Sequence, residues 1–175
     1  MRERALLAML PPAKARAQDL LDNGFAAAVR EHHLPVDISA IDALADDYLD
    51  ADIGARLEAE IFGKGYARVW LMGISLGGWG CLNVARRRTA GIAGVICGVI
   101  LIAPFLGSRD PEPLEPGLPP IYLGFGEADR YAEPSRRLAH SLPPERVATL
   151  PGGHDWATWM RLWRALLPRT LAANP

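Results

Sequence analysis

Short apolar runs alternate with longer helix-like segments along the chain, and this alternation constrains the fold more than any other feature of the sequence. Strands with both faces buried read as continuous apolar runs, so the pattern predicts a parallel sheet with helices on both faces. Six runs have the length of such strands, at residues 5–10, 36–41, 68–72, 98–103, 120–125 and 147–150. We therefore expect an α/β fold in three layers around a six-stranded parallel sheet.

Five segments have the character of helices, at residues 15–31, 46–62, 77–88, 134–141 and 156–167. The second of them shows an apolar stripe at four-residue spacing, which places its members on one helix face. The stripe consists of Leu49, Ile53, Leu57 and Ile61. We expect this face to pack against the sheet.

Length and composition fit one folded domain over residues 1–175. A chain of this size buries roughly 70% of its unfolded surface. Its residues are 50% hydrophobic and 22% charged, which is close to the globular average. The 19 Lys and Arg residues nearly balance the 20 Asp and Glu residues, and the net charge of -1 offers no long-range attraction for nucleic acid or an anionic membrane. The expected partner is a small molecule.

Cysteine usage and apolar run lengths indicate a compartment. Cys81 and Cys97 are too few for a disulfide scaffold, and both lie in apolar stretches. The run over residues 5–10 is shorter than the ~7–15 residues of a secretory signal core. No apolar stretch reaches the ~18–20 residues of a membrane-spanning helix. These features favour the cytoplasm.

The strongest chemical signal is Gly73-Ile74-Ser75-Leu76-Gly77, a G-x-S-x-G sequence between a predicted strand and a predicted helix. This is the context of a nucleophile elbow, a sharp turn that lifts the serine above the carboxyl end of the sheet. The flanking glycines are expected because a Cβ there would collide with the neighbouring helix and strand. The N–H of Leu76, at a helix N-terminus, would then point at a developing oxyanion. The alternative is that Ser75 only caps the helix.

Candidate partners for Ser75 follow later in the chain. Asp129 lies in the predicted loop after the fifth strand, and His154 lies between a glycine pair and the last helix. Both loops leave the carboxyl ends of strands, so the three side chains are expected at one edge of the sheet. Glu127 and Asp155 are competing acids, although Asp155 better fits a charge at a helix N-terminus.

The remaining histidines have other expected roles. His32 and His33 end the first predicted helix, and His140 lies on an amphipathic one. Surface or capping positions are the expectation for all three.

The nucleophile-elbow motif and the order Ser, Asp, His along the chain resemble those of the α/β-hydrolase superfamily, and the resemblance covers nearly the whole sequence. The resemblance implies the strand order 4-3-5-6-7-8 in the family's numbering, with the first strand here as strand 3. Many relatives begin with an extra β-hairpin that this chain lacks, so it resembles a minimal α/β-hydrolase core. The segment over residues 151–156 is also similar to the histidine loop of a bacterial esterase group that includes the enterochelin esterases.

One departure from that family concerns the second oxyanion donor. Where relatives often have His-Gly after the first central strand, this chain has Pro11-Pro12, and proline has no N–H to donate. The N–H of Ala13 is the first choice for the donor, and that of Lys14 is the second.

The expected activity is hydrolysis of a carboxylic ester or thioester of a small substrate, with Ser75 as nucleophile, His154 as general base and Asp129 orienting the histidine. This chemistry needs neither a metal nor an organic cofactor. The pocket is expected to be open and shallow, with an apolar wall formed by Trp79, Phe105, Leu106 and Trp156. The alternative for both tryptophans is packing in the core.

Other classes of function compete with this one. A non-catalytic binding protein could use the same fold. A nucleotide-binding protein is disfavoured, since the glycines after the third strand do not form G-x-G-x-x-G and no P-loop lysine follows them. Acyl transfer and peptide cleavage use the same three residues as ester and thioester hydrolysis.

Overall fold

The computed structural model describes residues 4–43, 45–49, 53–87, 95–107 and 114–171 of the chain. Six strands form one sheet, all pairings are parallel, and the order is β2-β1-β3-β4-β5-β6. The strands are β1 (Ala5–Leu10), β2 (Val36–Ala40), β3 (Val69–Ile74), β4 (Ile96–Ile102), β5 (Ile121–Gly126) and β6 (Val147–Leu150). This confirms the predicted six-stranded parallel sheet and its order.

Seven α-helices lie within the described ranges: α1 (Ala17–Asp22), α2 (Phe25–Glu31), α3 (Ala45–Leu49), α4 (Ile53–Phe62), α5 (Leu76–Arg86), α6 (Glu133–Ala139) and α7 (Trp156–Leu166). The prediction of one helix over residues 15–31 is wrong. Gly24 has a φ of 85°, in the left-handed region, so the chain turns there and begins a second helix. Between α3 and α4, residues 50–52 lie outside the described part of the chain.

Side chains on the strands alternate between two buried layers, as a sheet covered on both faces requires. In β3, Leu71 joins the cluster with α4 and α5, while Trp70 and Met72 join the cluster with α2 and α7. Leu57 and Ile61 of the predicted stripe are fully buried in the first cluster. The side chains of Leu49 and Ile53 lie outside the description.

These two layers dominate the stability of the fold, since burying one large aliphatic side chain is worth about 1.5–3 kcal/mol. The predicted three-layer arrangement is confirmed. In the described ranges, none of the helices combines the length and apolar character needed to cross a lipid bilayer.

Close backbone contacts fix the loops at the carboxyl edge of the sheet. A Cβ on Gly77 would meet the backbone carbonyls of Leu10 and Pro11, so α5 begins directly against the loop after β1. A Cβ on Gly126 would meet the carbonyl of Gly152, which joins the loops after β5 and β6. A hydrogen bond of 2.9 Å from the Ala128 N–H to the Gly152 carbonyl strengthens that second junction.

Candidate active site

Ser75 occupies a sharp turn between β3 and α5, with φ 52° and ψ -115°. A non-glycine residue at such angles costs of order 1–3 kcal/mol, so the surroundings must hold it there. Its N–H donates to the Ile102 carbonyl at 2.9 Å, and its own carbonyl accepts from the Phe105 N–H at 2.8 Å. Both partners belong to β4 or the loop after it, so the neighbouring strand stabilises the turn.

The glycines beside Ser75 are required by contact, as the sequence predicts. A Cβ on Gly73 would meet the carbonyl of Gly77 and the nitrogen of Gly78, because the helix folds back over the strand end. Together with the contact between Gly77 and the β1 loop, this leaves no room for a side chain at position 73 or 77.

Ser75, His154 and Asp129 form one chain of hydrogen bonds. His154 Nε2 lies 3.0 Å from Ser75 Oγ, and His154 Nδ1 lies 2.7 Å from Asp129 Oδ2. The carboxylate can only accept, so Nδ1 carries the proton and Nε2 is left to accept from the serine hydroxyl. Asp129 is buried at 3% exposure, and its Oδ1 accepts from the Tyr131 N–H at 2.8 Å.

The two competing acids have other contacts in the described part of the chain. Asp155 is the N-cap of α7 and accepts from the Thr158 N–H at 2.9 Å. This hydrogen bond lowers the pKa of the Asp155 carboxyl below its ordinary value. Glu127 is exposed, and its backbone carbonyl accepts from Arg136 at 2.8 Å. Asp129 is therefore the acid that meets His154.

The backbone offers donors near the Ser75 hydroxyl. Leu76 is the first residue of α5, so its N–H has no partner within the helix. Ala13 and Lys14 line the same cleft as Ser75. The loop that carries them is a turn closed by a 3.1 Å hydrogen bond from the Ala15 N–H to the Pro12 carbonyl. Both residues predicted as the second oxyanion donor thus line the cleft that contains the serine.

A cleft of about 470 Å³ opens over Ser75 and His154. Its remaining lining residues among those described are Pro12, Ala13, Lys14, Ala15, Ala103, Pro104, Phe105, Arg130, Tyr131, Trp156 and Trp159. This volume suits a small ligand.

The predicted wall residues divide into two groups. Phe105 and Trp156 line the cleft. Trp79 and Leu106 lie elsewhere: both are half-buried against the cluster that contains α4 and α5, and neither is among the described lining residues. Trp79 therefore packs against the core, which was the alternative expected for it, because its position on α5 turns it away from the cleft.

Sequence reasoning missed Tyr131 and Trp159 as cleft residues. Tyr131 lies two residues beyond Asp129 on the same loop, and its ring packs edge-on against the His154 ring with the ring centres 5.1 Å apart. Trp159 lies one turn along α7 from Trp156 and packs edge-on against the His154 ring with the ring centres 4.9 Å apart. Closeness to Asp129 and His154 in the sequence was the available signal for both.

The other histidines have the expected surface positions. His32 and His140 are C-caps of α2 and α6, and His33 is exposed. Within the described ranges, no group of three His, Cys, Asp or Glu side chains is arranged as metal ligands would be.

Solved structures share this fold at low sequence identity. A predicted CIB-like hydrolase from Thermoplasma acidophilum has a TM-score of 0.73 at 16% identity, covering 96% of this chain and 86% of that one. A protein of Xanthomonas campestris pv. campestris assigned to the alpha/beta hydrolase superfamily has a TM-score of 0.66 at 17% identity, covering 99% of each chain. A thermophilic esterase from Thermogutta terrifontis has a TM-score of 0.62 at 12% identity, covering 94% of this chain and 88% of that one.

Sequence comparison gives the family directly. No curated protein matches the chain. The model of the alpha/beta hydrolase family, however, matches residues 13–174, which include the Ser75 turn and the loops of Asp129 and His154. The chain therefore belongs to the alpha/beta hydrolase family.

Proposed function

We propose that this hydrolase is a serine esterase that cleaves a carboxylic ester or thioester of a small substrate through an acyl-enzyme on Ser75. The observation that supports this most is the hydrogen-bond chain from Asp129 through His154 to Ser75, at 2.7 and 3.0 Å. A hydroxyl, an imidazole and a buried carboxylate in this order are the components of nucleophilic acyl transfer.

The first half of the reaction forms the acyl-enzyme. As Ser75 Oγ attacks the acyl carbon, its proton passes to His154 Nε2, and Asp129 stabilises the resulting imidazolium. The N–H groups of Leu76 and Ala13 stabilise the oxyanion. When the tetrahedral intermediate collapses, the bond from carbon to the leaving oxygen or sulfur breaks, and His154 returns its proton to the leaving group.

The second half releases the acid. Water takes the place of the leaving group and gives a proton to His154 Nε2 as its oxygen attacks the acyl carbon. The bond from that carbon to Ser75 Oγ then breaks, and the proton returns to the serine. The side chains therefore finish the cycle in their starting protonation states.

The backbone strain at Ser75 favours this function over simple binding. A binding site needs no serine in a costly backbone conformation, whereas a nucleophile must be lifted above the sheet to reach a carbonyl. The alternative is a non-catalytic binding protein on the same fold. It would bind small ligands in the cleft without turnover.

Hydrolysis of p-nitrophenyl butyrate and of a butyryl thioester tests the proposal. We expect Ser75→Ala and His154→Ala each to lower kcat/KM by about 10⁴-fold or more. The residues act as a unit, so removing one of them costs about as much activity as removing all. Ser141→Ala, a change at an exposed serine, is the matched control and should leave kcat/KM unchanged. Full activity in Ser75→Ala would overturn the role of Ser75, and no turnover by the wild type would favour the binding alternative.

A further inference from the structure

Two exposed cationic side chains stand at the candidate active site. Lys14 and Arg130 line the cleft, and no Asp or Glu is among its described lining residues. The two cations come from different loops: Lys14 follows Ala13 after β1, and Arg130 follows Asp129 after β5. They therefore approach the reacting atoms from two separate parts of the sheet edge.

Several arginines elsewhere on the surface have a neighbouring carboxylate. Ion pairs of this kind involve Arg4, Arg16, Arg56, Arg87, Arg136, Arg137 and Arg164. Over the residues that the structure describes, neither Lys14 nor Arg130 has such a partner. Both cations are thus free of ion pairs within the described residues, while the charge of the whole chain is only -1.

The position of Arg130 is set by an aromatic ring. Its guanidinium carbon lies 4.7 Å from the centre of the Tyr131 ring, in a cation–π contact. Tyr131 itself lines the cleft and is fixed to Asp129 through its backbone N–H. The guanidinium is therefore partly ordered before any ligand arrives, and it keeps its hydrogen-bond donors free for an anion.

The Asp129 carboxylate is not available to contact a ligand. Its carboxylate is 3% exposed, and its two oxygens are occupied by His154 and by the Tyr131 N–H. A ligand in the cleft meets the two exposed cations together with the aromatic walls of Phe105 and Trp156. Side chains of one charge around a cleft attract ligands of the opposite charge.

We infer that the substrate of this site carries a carboxylate on a small apolar body, and that Lys14 and Arg130 bind that carboxylate while the ester lies over Ser75. This inference rests on the proposed esterase function and specifies its substrate class. The carboxylate can be on the acyl chain or on the leaving group, and the test has one arm for each.

The experiment compares esters that differ in charge and match in size. In the first pair, mono-p-nitrophenyl adipate carries a carboxylate on the acyl chain and p-nitrophenyl hexanoate is its neutral match. In the second pair, the butyrate of 4-hydroxybenzoate carries the carboxylate on the leaving group and the butyrate of 4-hydroxybenzamide is its neutral match. For each pair, the ratio of kcat/KM for the anionic ester to that for the neutral ester is measured in the wild type and in the double variant Lys14→Gln, Arg130→Gln, whose backbone donors are retained.

In at least one pair, we expect the ratio to fall by about two- to tenfold in the double variant, which is the range for two exposed charge contacts. The wild-type ratio should also decline when NaCl is raised towards 1 M, since salt screens such contacts. Arg164→Gln is the matched control: it removes one exposed cation from α7, away from the cleft, and should leave both ratios unchanged. Equal ratios in the wild type and the double variant for both pairs would overturn the inference and leave the proposed function intact.

A failure of the proposed function gives a different result. If the wild type hydrolyses none of these esters, the binding of adipate is measured instead, by tryptophan fluorescence from the two tryptophans in the cleft wall. Weaker adipate binding in the double variant would then support an anion site without catalysis. Equal binding in the double variant and the wild type would reject the anion site as well.

Discussion

Asp129 Oδ2 lies 2.7 Å from His154 Nδ1, and the carboxylate that makes this contact is buried at 3% exposure. Its other oxygen accepts from the Tyr131 N–H at 2.8 Å. Both oxygens are thus fixed by donors of the same site. A carboxylate held in this way can hold the imidazole in one tautomer and one orientation, which is the role proposed for it.

The first prediction concerns this contact. Asp129→Asn should lower kcat/KM by about 10²–10⁴-fold, because the amide can donate to Nδ1 and so favour the wrong tautomer of His154. Asp155→Asn is the matched control at the neighbouring acid. Asparagine caps a helix about as well as aspartate, so this variant should keep wild-type activity. Equal losses in the two variants would contradict the assignment of Asp129.

The second prediction concerns stability at the start of α7. Asp155→Ala should lower the free energy of unfolding by about 0.5–2 kcal/mol at pH 7, because the Thr158 N–H loses its acceptor. The hydrogen bond to Thr158 lowers the pKa of the Asp155 carboxyl in the folded state, so the ionised cap contributes fully above the ordinary value of 3.8 and is lost as the pH falls through the lower, folded value. Urea unfolding of both proteins at pH 7 and near pH 3 measures this, and a difference that grows on acidification would be the opposite result.

The candidate residues Ser75, Asp129 and His154 could be placed together from the sequence because each one follows the end of a strand. Strand ends of a parallel sheet lie along one edge, so the three residues were expected at that edge once the strands were identified. The cleft walls depend instead on helix rotation and loop path. Trp79 and Trp156 both follow an active-site loop, yet α5 turns Trp79 towards the core while Trp156 stays at the cleft.

The third prediction tests the close contact at the start of α5. A Cβ on Gly77 would meet the backbone carbonyls of Leu10 and Pro11, which cannot move without disturbing β1. Gly77→Ala should therefore destabilise the protein by about 1–3 kcal/mol in urea unfolding. Gly124→Ala is the comparison, because a Cβ there would lie 3.2 Å from Leu166 Cδ1 and 3.3 Å from Leu162 Cβ, which are longer contacts and not with backbone atoms. A smaller loss for Gly77→Ala than for Gly124→Ala would contradict this account.

The strands followed from apolar runs and their order from the resemblance to the α/β-hydrolase superfamily, whereas helix continuity followed from neither. Helical spacing of apolar residues persists across residues 15–31, but Gly24 adopts a φ that helices do not contain. The sequence Asn23-Gly24 is a turn signal. On this signal, rather than on periodicity, the break between the two helices is predicted at Gly24. Local turn chemistry outweighs periodicity when the helix on either side is short.

The fourth prediction concerns acyl chain length. Phe105 is 44% exposed and Tyr131 is 50% exposed at the cleft, so within the described ranges no element covers a long acyl chain there. Each uncovered CH₂ forgoes roughly 0.8 kcal/mol of burial. Among p-nitrophenyl esters from acetate to palmitate, kcat/KM should peak at about two to six carbons, since longer chains gain no burial. A steady rise to palmitate would indicate an apolar groove beyond this cleft.

Labelling with a fluorophosphonate probe tests the central claim most directly, because the probe reacts with an activated serine and requires no knowledge of the substrate. We predict one adduct per chain, located by mass spectrometry on Ser75, and no labelling of Ser75→Ala, while Ser141→Ala is labelled like the wild type. An adduct on a different serine, or labelling of Ser75→Ala at the wild-type rate, would contradict the assignment of Ser75 as the nucleophile.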